Sequence, residues 1–295
     1  NVVMASHQLT PAVVHDQGTS FAAPRVAHQL ALLQYDLQRI GVIASAPLLK
    51  AFLVNGSQYP DRDALRSLEE AWGRSARDLQ LRASGYGIPD AMRSLYCDEH
   101  TAVLYFEGQI EPDQVLFFSV PVPKDLAASD GMKRLTVTVA HYPEVQQWGL
   151  HRYLGVDVKL RMFRGDVDRD HVIDAMSRQD EDNGANIERG GEAAPPESNE
   201  AEGLPNEISF THKLLRRSRG TVQHDYVEWK QHKAAYSDGD YTLAIAAYKR
   251  WQKRMAPAPI AVVIRIEDLG RTAKVYAHVA KALTEVQIAS RAAQR

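Results

Sequence analysis

Apolar residues recur at helical spacing through the first third of the chain and at alternate positions through most of the rest. From Phe21 to about Arg39, the positions Ala22, Ala23, Val26, Ala27, Leu30, Ala31, Leu33 and Leu37 make an apolar band wider than a surface helix needs. Pro24 sits in the first turn, where its missing N–H costs nothing, and Gly41 supplies the stop. A second helix is expected from about Ala46 to Val54, with Pro47 near its start and Asn55-Gly56 as its end. Residues 61–72 are a candidate third helix. The glycine-rich turn Gly85 to Ala91 leads into a short last one, Ala91 to Tyr96.

From about residue 101 the period changes to two. Leu135, Val137 and Val139 alternate with Thr136, Thr138 and Ala140. Val156, Val158, Leu160 and Met162 alternate with Asp157, Lys159 and Arg161. Tyr241, Leu243, Ile245 and Ala247 line one side of another run, while Ile260 to Ile266 and Thr272 to Val279 supply two more. Many strands broken by turn residues predict an antiparallel sandwich. The stretch from Asp166 to about Asn206 is polar, acidic and almost without aromatics. It cannot bury enough apolar surface to offset the entropy of ordering, and it reads as a disordered surface insertion within the second domain.

Composition narrows the function classes. At 295 residues the chain has room for two domains, and 44% hydrophobic with 24% charged residues is a globular balance. A net charge of −2 gives no basic field to hold a polyanion, so nucleic acid is not an expected partner. No uninterrupted apolar run reaches the roughly 18–20 residues that cross a bilayer, so a membrane is not expected either. The single cysteine, Cys97, excludes an internal disulfide framework and a multi-thiolate zinc site, and nothing around it marks a reactive thiol.

The string with the most chemical content is Gly18-Thr19-Ser20-Phe21-Ala22-Ala23-Pro24-Arg25-Val26-Ala27. It places a serine at the mouth of an Ala-rich helix, with Gly18 expected to permit a tight turn and a close backbone approach. Free backbone N–H groups and the positive end of the helix dipole lie beside such a hydroxyl. That setting suits a nucleophile and an oxyanion site in acyl transfer. By helix logic alone Ser20 would instead be an N-cap.

The whole string closely resembles the nucleophile signature of the subtilase, or subtilisin-like, family of serine peptidases. Val2-Val3-Met4-Ala5 resembles the strand that precedes the nucleophile loop in that family, although Ser6 stands where the pattern has Pro. Gly85-Tyr86-Gly87-Ile88-Pro89-Asp90-Ala91 resembles a turn near the end of the catalytic domain. The resemblance implies α/β structure for residues 1–97, the carboxyl-terminal portion of a three-layer peptidase domain. An all-β antiparallel sandwich or jelly-roll-like domain is expected over 98–285, with the acidic insertion at about 166–206. It also implies Ser20 as catalytic nucleophile, a protein or peptide as substrate, and no organic cofactor. Calcium is compatible with the family, but no ligand set can be carried over.

One departure is large. In the family the chain order is Asp, His, Ser, and here only nineteen residues precede Ser20. The family's His-Gly-Thr string is absent, so neither His7 nor His15 is read as the base. His15 and Asp16 are expected in the loop that approaches the serine. The expectation is therefore a carboxyl-terminal part of a subtilase that carries the nucleophile alone and is inactive by itself. The alternative is a non-catalytic β-sandwich binding module attached to a degenerate protease domain.

Other signals are weaker. Asp166-Val-Asp-Arg-Asp starts like a calcium loop, but His171 and Ser177 stand where that pattern needs Gly and Glu. The basic run Lys213 to Arg219 reads as a solvated strand end. Trp148, Trp229 and Trp251 read as core or edge packing.

Overall fold

The computed structural model describes residues 2–5, 13–16, 18–59, 70, 81, 84–123, 126, 131–146, 153–177, 204–212, 220–230, 240–251, 256–277 and 279. The chain divides into two compact units, Asn1–Leu95 and Tyr96–Arg295.

In the first unit, β1 (Val2–Ala5) and β2 (Val13–Asp16) form an antiparallel pair with Val2 opposite Asp16 and Ala5 opposite Val13. Helix α1 covers Thr19–Arg39, so it starts two residues before the expected Phe21, and Pro24 lies inside the helix rather than in its first turn, where it removes the bond that Ser20 O would accept. Its end is a Schellman turn: Gly41, at φ 82°, donates to Gln38 O at 3.0 Å, and Val42 N donates to Leu37 O at 2.9 Å. Helix α2 (Ala46–Gly56) starts at Ser45, whose Oγ accepts Leu48 N at 3.4 Å. The helix runs two residues past the expected Val54, so Asn55 and Gly56 form its last turn and are buried. Gly56 is needed there for close approach. A Cβ on it would fall 2.2 Å from Ser94 Oγ and 2.7 Å from Asp90 O, at the start of α3 (Ala91–Leu95). Gly87, at φ 94°, lets the expected turn lie against Gln58, which exchanges two backbone hydrogen bonds with Ile88 at 2.9 and 2.7 Å. The candidate helix over 61–72 lies outside the described residues apart from Glu70, which is helical. The described residues of this unit hold no parallel sheet, so the three-layer α/β arrangement is not displayed among them.

The second unit is a two-layer antiparallel sandwich. One sheet has the order β3 (Thr101–Ile110), β9 (Ala258–Asp268), β5 (Met132–His141), β7 (Val222–Lys230). The other has the order β4 (Val115–Val120), β8 (Tyr241–Lys249), β6 (Val156–Arg164). The inward rows are those expected from the alternation. Leu135, Val137 and Val139 of β5 meet Val158, Leu160 and Met162 of β6 and Leu243 and Ile245 of β8 in one core. Trp229 belongs to that core.

Two readings of the second unit are corrected. The run from Thr272 to Val279 is not a strand, since residues 275–277 and 279 are helical. The Asp268 carboxylate turns the chain there by accepting Gly270 N, Thr272 N and Ala273 N at 3.0, 2.8 and 2.6 Å. Val275 and Val279, four apart, are both buried, which is the helical spacing. Part of the stretch read as a disordered acidic insertion is instead ordered. Residues 169–177 form a helix whose Val172 and Met176 bury against Phe163, Ala244, Ala246 and Tyr248 on the outer face of the smaller sheet. Residues 204–212 are likewise placed against the sandwich, so only 178–203 of that stretch lies outside the described residues.

Candidate functional site

Helix α1 opens with Gly18 as N-cap, Thr19 as its first residue and Ser20 as its second. Gly18 O accepts the N–H groups of Phe21 and Ala22 at 3.1 and 3.3 Å. Ser20 is therefore inside the first turn rather than capping it, and its side chain is exposed. No hydrogen-bond partner reaches its hydroxyl among the described residues. A serine in this position has the dipole end and uncommitted N–H groups of the helix beside it, the setting that favours developing negative charge. Gly18 does not turn the chain tightly. Its φ of 163° is extended backbone, and a Cβ would meet only the Phe21 ring, at an ordinary 3.7 Å.

The residues near Ser20 in sequence are distributed as follows. His15 and Asp16 lie in β2, opposite Val3 and Val2, rather than in a loop. His7 lies outside the described residues. On α1 only Leu33 and Leu37 are fully buried, while Ala22, Ala23, Ala27 and Ala31 are exposed and Leu32 is 37% exposed. Gln29 reaches back from the helix to accept Ala91 N at 2.8 Å, which ties α1 to the start of α3.

The start of the calcium-like string is spent on the backbone. Asp168 Oδ1 accepts Asp170 N at 3.1 Å and His171 N at 3.3 Å as the cap of the 169–177 helix, and Asp166 Oδ1 accepts Val167 N at 3.0 Å. With Leu204, Pro205 and Asn206 these residues line a shallow depression. No group of three or more His, Cys, Asp or Glu able to hold a metal occurs among the described residues. Cys97 is exposed as a residue, but its sulfur is partly desolvated by its neighbours, and this desolvation is the main cause that pushes the thiol above the usual range, away from the reactive thiolate. The basic run 213–219 and Trp148 lie outside the described residues.

The second unit holds a polar cluster that nothing in the sequence announced. Asp225 stands in the inward row of β7 and accepts His212 Nδ1 at 2.9 Å and His212 N at 3.0 Å, with both residues buried. Thr138 Oγ1 and His224 Nδ1 are 2.8 Å apart, also buried. The partners are 13 and 86 residues apart in sequence, so no local spacing could have found them.

No family model matches the chain, and no curated protein does either. Among solved structures, the chain is similar to one described as a crystal structure of the infectious bursal disease virus VP2 subviral particle. The TM-score is 0.30 and the identity 6%, over 59% of this chain and 34% of that one. A structure of the infectious bursal disease virus Gx strain has a TM-score of 0.27 and 8% identity, over 60% and 35%. The chain spans about a third of the length of these solved chains, and likeness at this level carries no argument about function.

Proposed function

We propose that the first unit carries the nucleophile of a subtilisin-like serine endopeptidase and that the second is a β-sandwich module attached to it. One observation carries the reading: within the ten-residue signature Gly18 to Ala27, Ser20 presents an exposed hydroxyl in the first turn of a 21-residue helix. In this reading Ser20 Oγ attacks the scissile carbonyl of a protein or peptide. The proton passes to a histidine supplied by chain preceding the signature, and N–H groups at the head of α1 hold the oxyanion. The histidine gives that proton to the departing amine as the scissile C–N bond breaks, and water then hydrolyses the acyl-enzyme and frees Ser20. The exposed small residues of α1 suit a helix that packs against further structure of the peptidase domain.

The test is labelling with a fluorophosphonate probe in the protein expressed with all of its upstream reading frame. Labelling at Ser20, abolished by Ser20→Ala, is the expected result. Absence of labelling in a folded protein that carries upstream Asp and His-Gly-Thr strings would overturn the proposal. The runner-up is a non-catalytic binding module beside a degenerate protease segment. It is favoured by the antiparallel β1–β2 pair. An upstream frame without those two strings would decide for it.

A further inference from the structure

The sandwich has two long sides, and the β6 side is closed in an unusual way. A strand that ends a sheet leaves a row of main-chain groups needing partners. Val156 O accepts from His141 Nε2 at 3.3 Å, and Val158 O accepts from Gln223 Nε2. Both side chains come from the opposite sheet. Farther along, Met162 O accepts Ile208 N at 2.8 Å, and Arg164 N donates to Asn206 O at 2.9 Å. The chain then crosses to β7, where Thr211 N and Oγ1 donate to Tyr226 O at 3.0 and 2.8 Å. His212 follows, fixed on Asp225 through both its backbone N–H and its ring. Residues 204–212 are thus a strap that runs from the edge of one sheet to the edge of the other.

The register makes Asp225 conspicuous. It lies opposite Val137, in the same inward row as Val227 and Trp229, where an apolar residue would pack without cost. A carboxylate is tolerable there only if its oxygens are occupied, and they are: His212 N, His212 Nδ1 and Tyr226 N all donate to it. At the other end of the strap, Glu207 Oε2 accepts Arg161 Nη1 at 2.6 Å and Leu204 N at 3.2 Å. Between these anchors the apolar hold is small. Ile208 is buried in the core, and Phe210 packs partly against it. In β9, by contrast, Ile260, Val262, Ile264 and Ile266 are all in the core.

We propose that residues 204–212 are a latched guard of the β6 edge, with Asp225 and His212 as the latch, and that the strap opens as a unit while the sandwich stays folded. Local opening follows the amount of buried apolar contact, and in the strap only Ile208 is fully buried in the core, with Phe210 and Leu204 partly covered. Once open, it leaves the Met162–Arg164 end of β6 available to another strand. The strand it takes is β4 of a second copy, which ends its own sheet among the described residues and whose six residues, VLFFSV, bear no charge. This inference concerns the second unit alone and does not depend on the peptidase reading.

Native-state hydrogen exchange on the full chain tests it, with Asp225→Asn as the variant and sedimentation velocity as the second readout. In wild type, the amides of Ile208, Thr211 and His212 should exchange together and faster than those of β9. In the variant they should speed up about ten- to a hundredfold, the loss expected of a hydrogen bond to a charged group, with β9 unchanged. The variant should also associate with rising concentration, and Ser119→Lys on the exposed part of β4 should suppress that association. Strap amides that exchange in step with β9 in both proteins overturn the latch. Faster strap exchange without association overturns the guard. Should Asp225→Asn fail to fold, Glu207→Gln at the opposite anchor must accelerate the same amides, and unchanged exchange there overturns the proposal equally.

Discussion

The two units leave their apolar sequence in opposite circumstances. Helix α1 carries a wide apolar band yet buries only Leu33 and Leu37 completely, while β9 buries almost every residue on both of its faces. The difference is one of partners. In the sandwich each inward row meets the other sheet, and the outward row of the smaller sheet is covered by the 169–177 helix. In the first unit, α1 has α2 and α3 on one side and open small residues elsewhere. A hydrophobic pattern states which surface needs covering; it does not supply the cover.

The sharpest way to separate the units is chemical. Ser20→Ala in the complete protein should lower kcat/KM on a peptide substrate by about 10⁴-fold or more, the effect of losing a triad nucleophile. The melting temperature should stay unchanged, since the hydroxyl is exposed and unbonded among the described residues. Near-normal activity in that mutant would remove the first unit from the chemistry. Dissection is the next test. A protein of residues 98–285 should fold as a soluble monomer, whereas residues 1–97 should be partly unfolded or aggregate through exposed α1 residues. Size-exclusion chromatography with circular dichroism reads both, and a well-folded, monomeric 1–97 would show that α1 needs no further cover.

Single substitutions should act within one unit each. Gly56→Ala should cost about 3 kcal/mol, because the new methyl collides with backbone at Asp90 and Ser94, which cannot swing away. The effect should appear in the melting of the first unit, with the sandwich transition unmoved. Asp268 gives the smaller, pH-dependent counterpart. Burial raises its pKa, but hydrogen bonds from Ala273, Thr272 and Gly270 outweigh burial and hold it below the usual carboxylate value. A carboxyl depressed in the folded state contributes stability that is present above its unfolded value, near 4, and lost as pH falls through the folded value. Asp268→Asn should therefore cost about 2 kcal/mol at neutral pH and flatten the decline of sandwich stability below about pH 4. An unchanged acid limb in urea titrations would assign that decline to other carboxylates.

Legibility differed between strands for a physical reason. β5, β6, β8 and the centre of β9 could be read directly, because their inward rows are purely apolar. β7 could not, because Gln223 and Asp225 occupy its inward row and erase the alternation. The 169–177 helix was hidden the same way: two apolar residues, Val172 and Met176, suffice to seat it, and the acidic residues around them dominated the reading. Val275 and Val279 fit either period, and the turn set by Asp268 selected the helix. Ser20 at the head of a helix was legible from its string, whereas the antiparallel β1–β2 pair that precedes it in the chain was not, since strands of four residues do not announce their partners.

Taken alone, the sequence determined that α1 stops at Gly41 and that α2 starts beside Pro47, and which strand residues must avoid water, but not where α1 begins. These are local consequences of backbone freedom and side-chain period. Only the tertiary structure decided that β9, far along the chain, inserts between β3 and β5, that Gly56 is a close contact, and that Asp225 waits in the core for His212. Those outcomes depend on segments brought together across long chain separations, where complementarity of shape and hydrogen bonding, and no local spacing, chooses the partner.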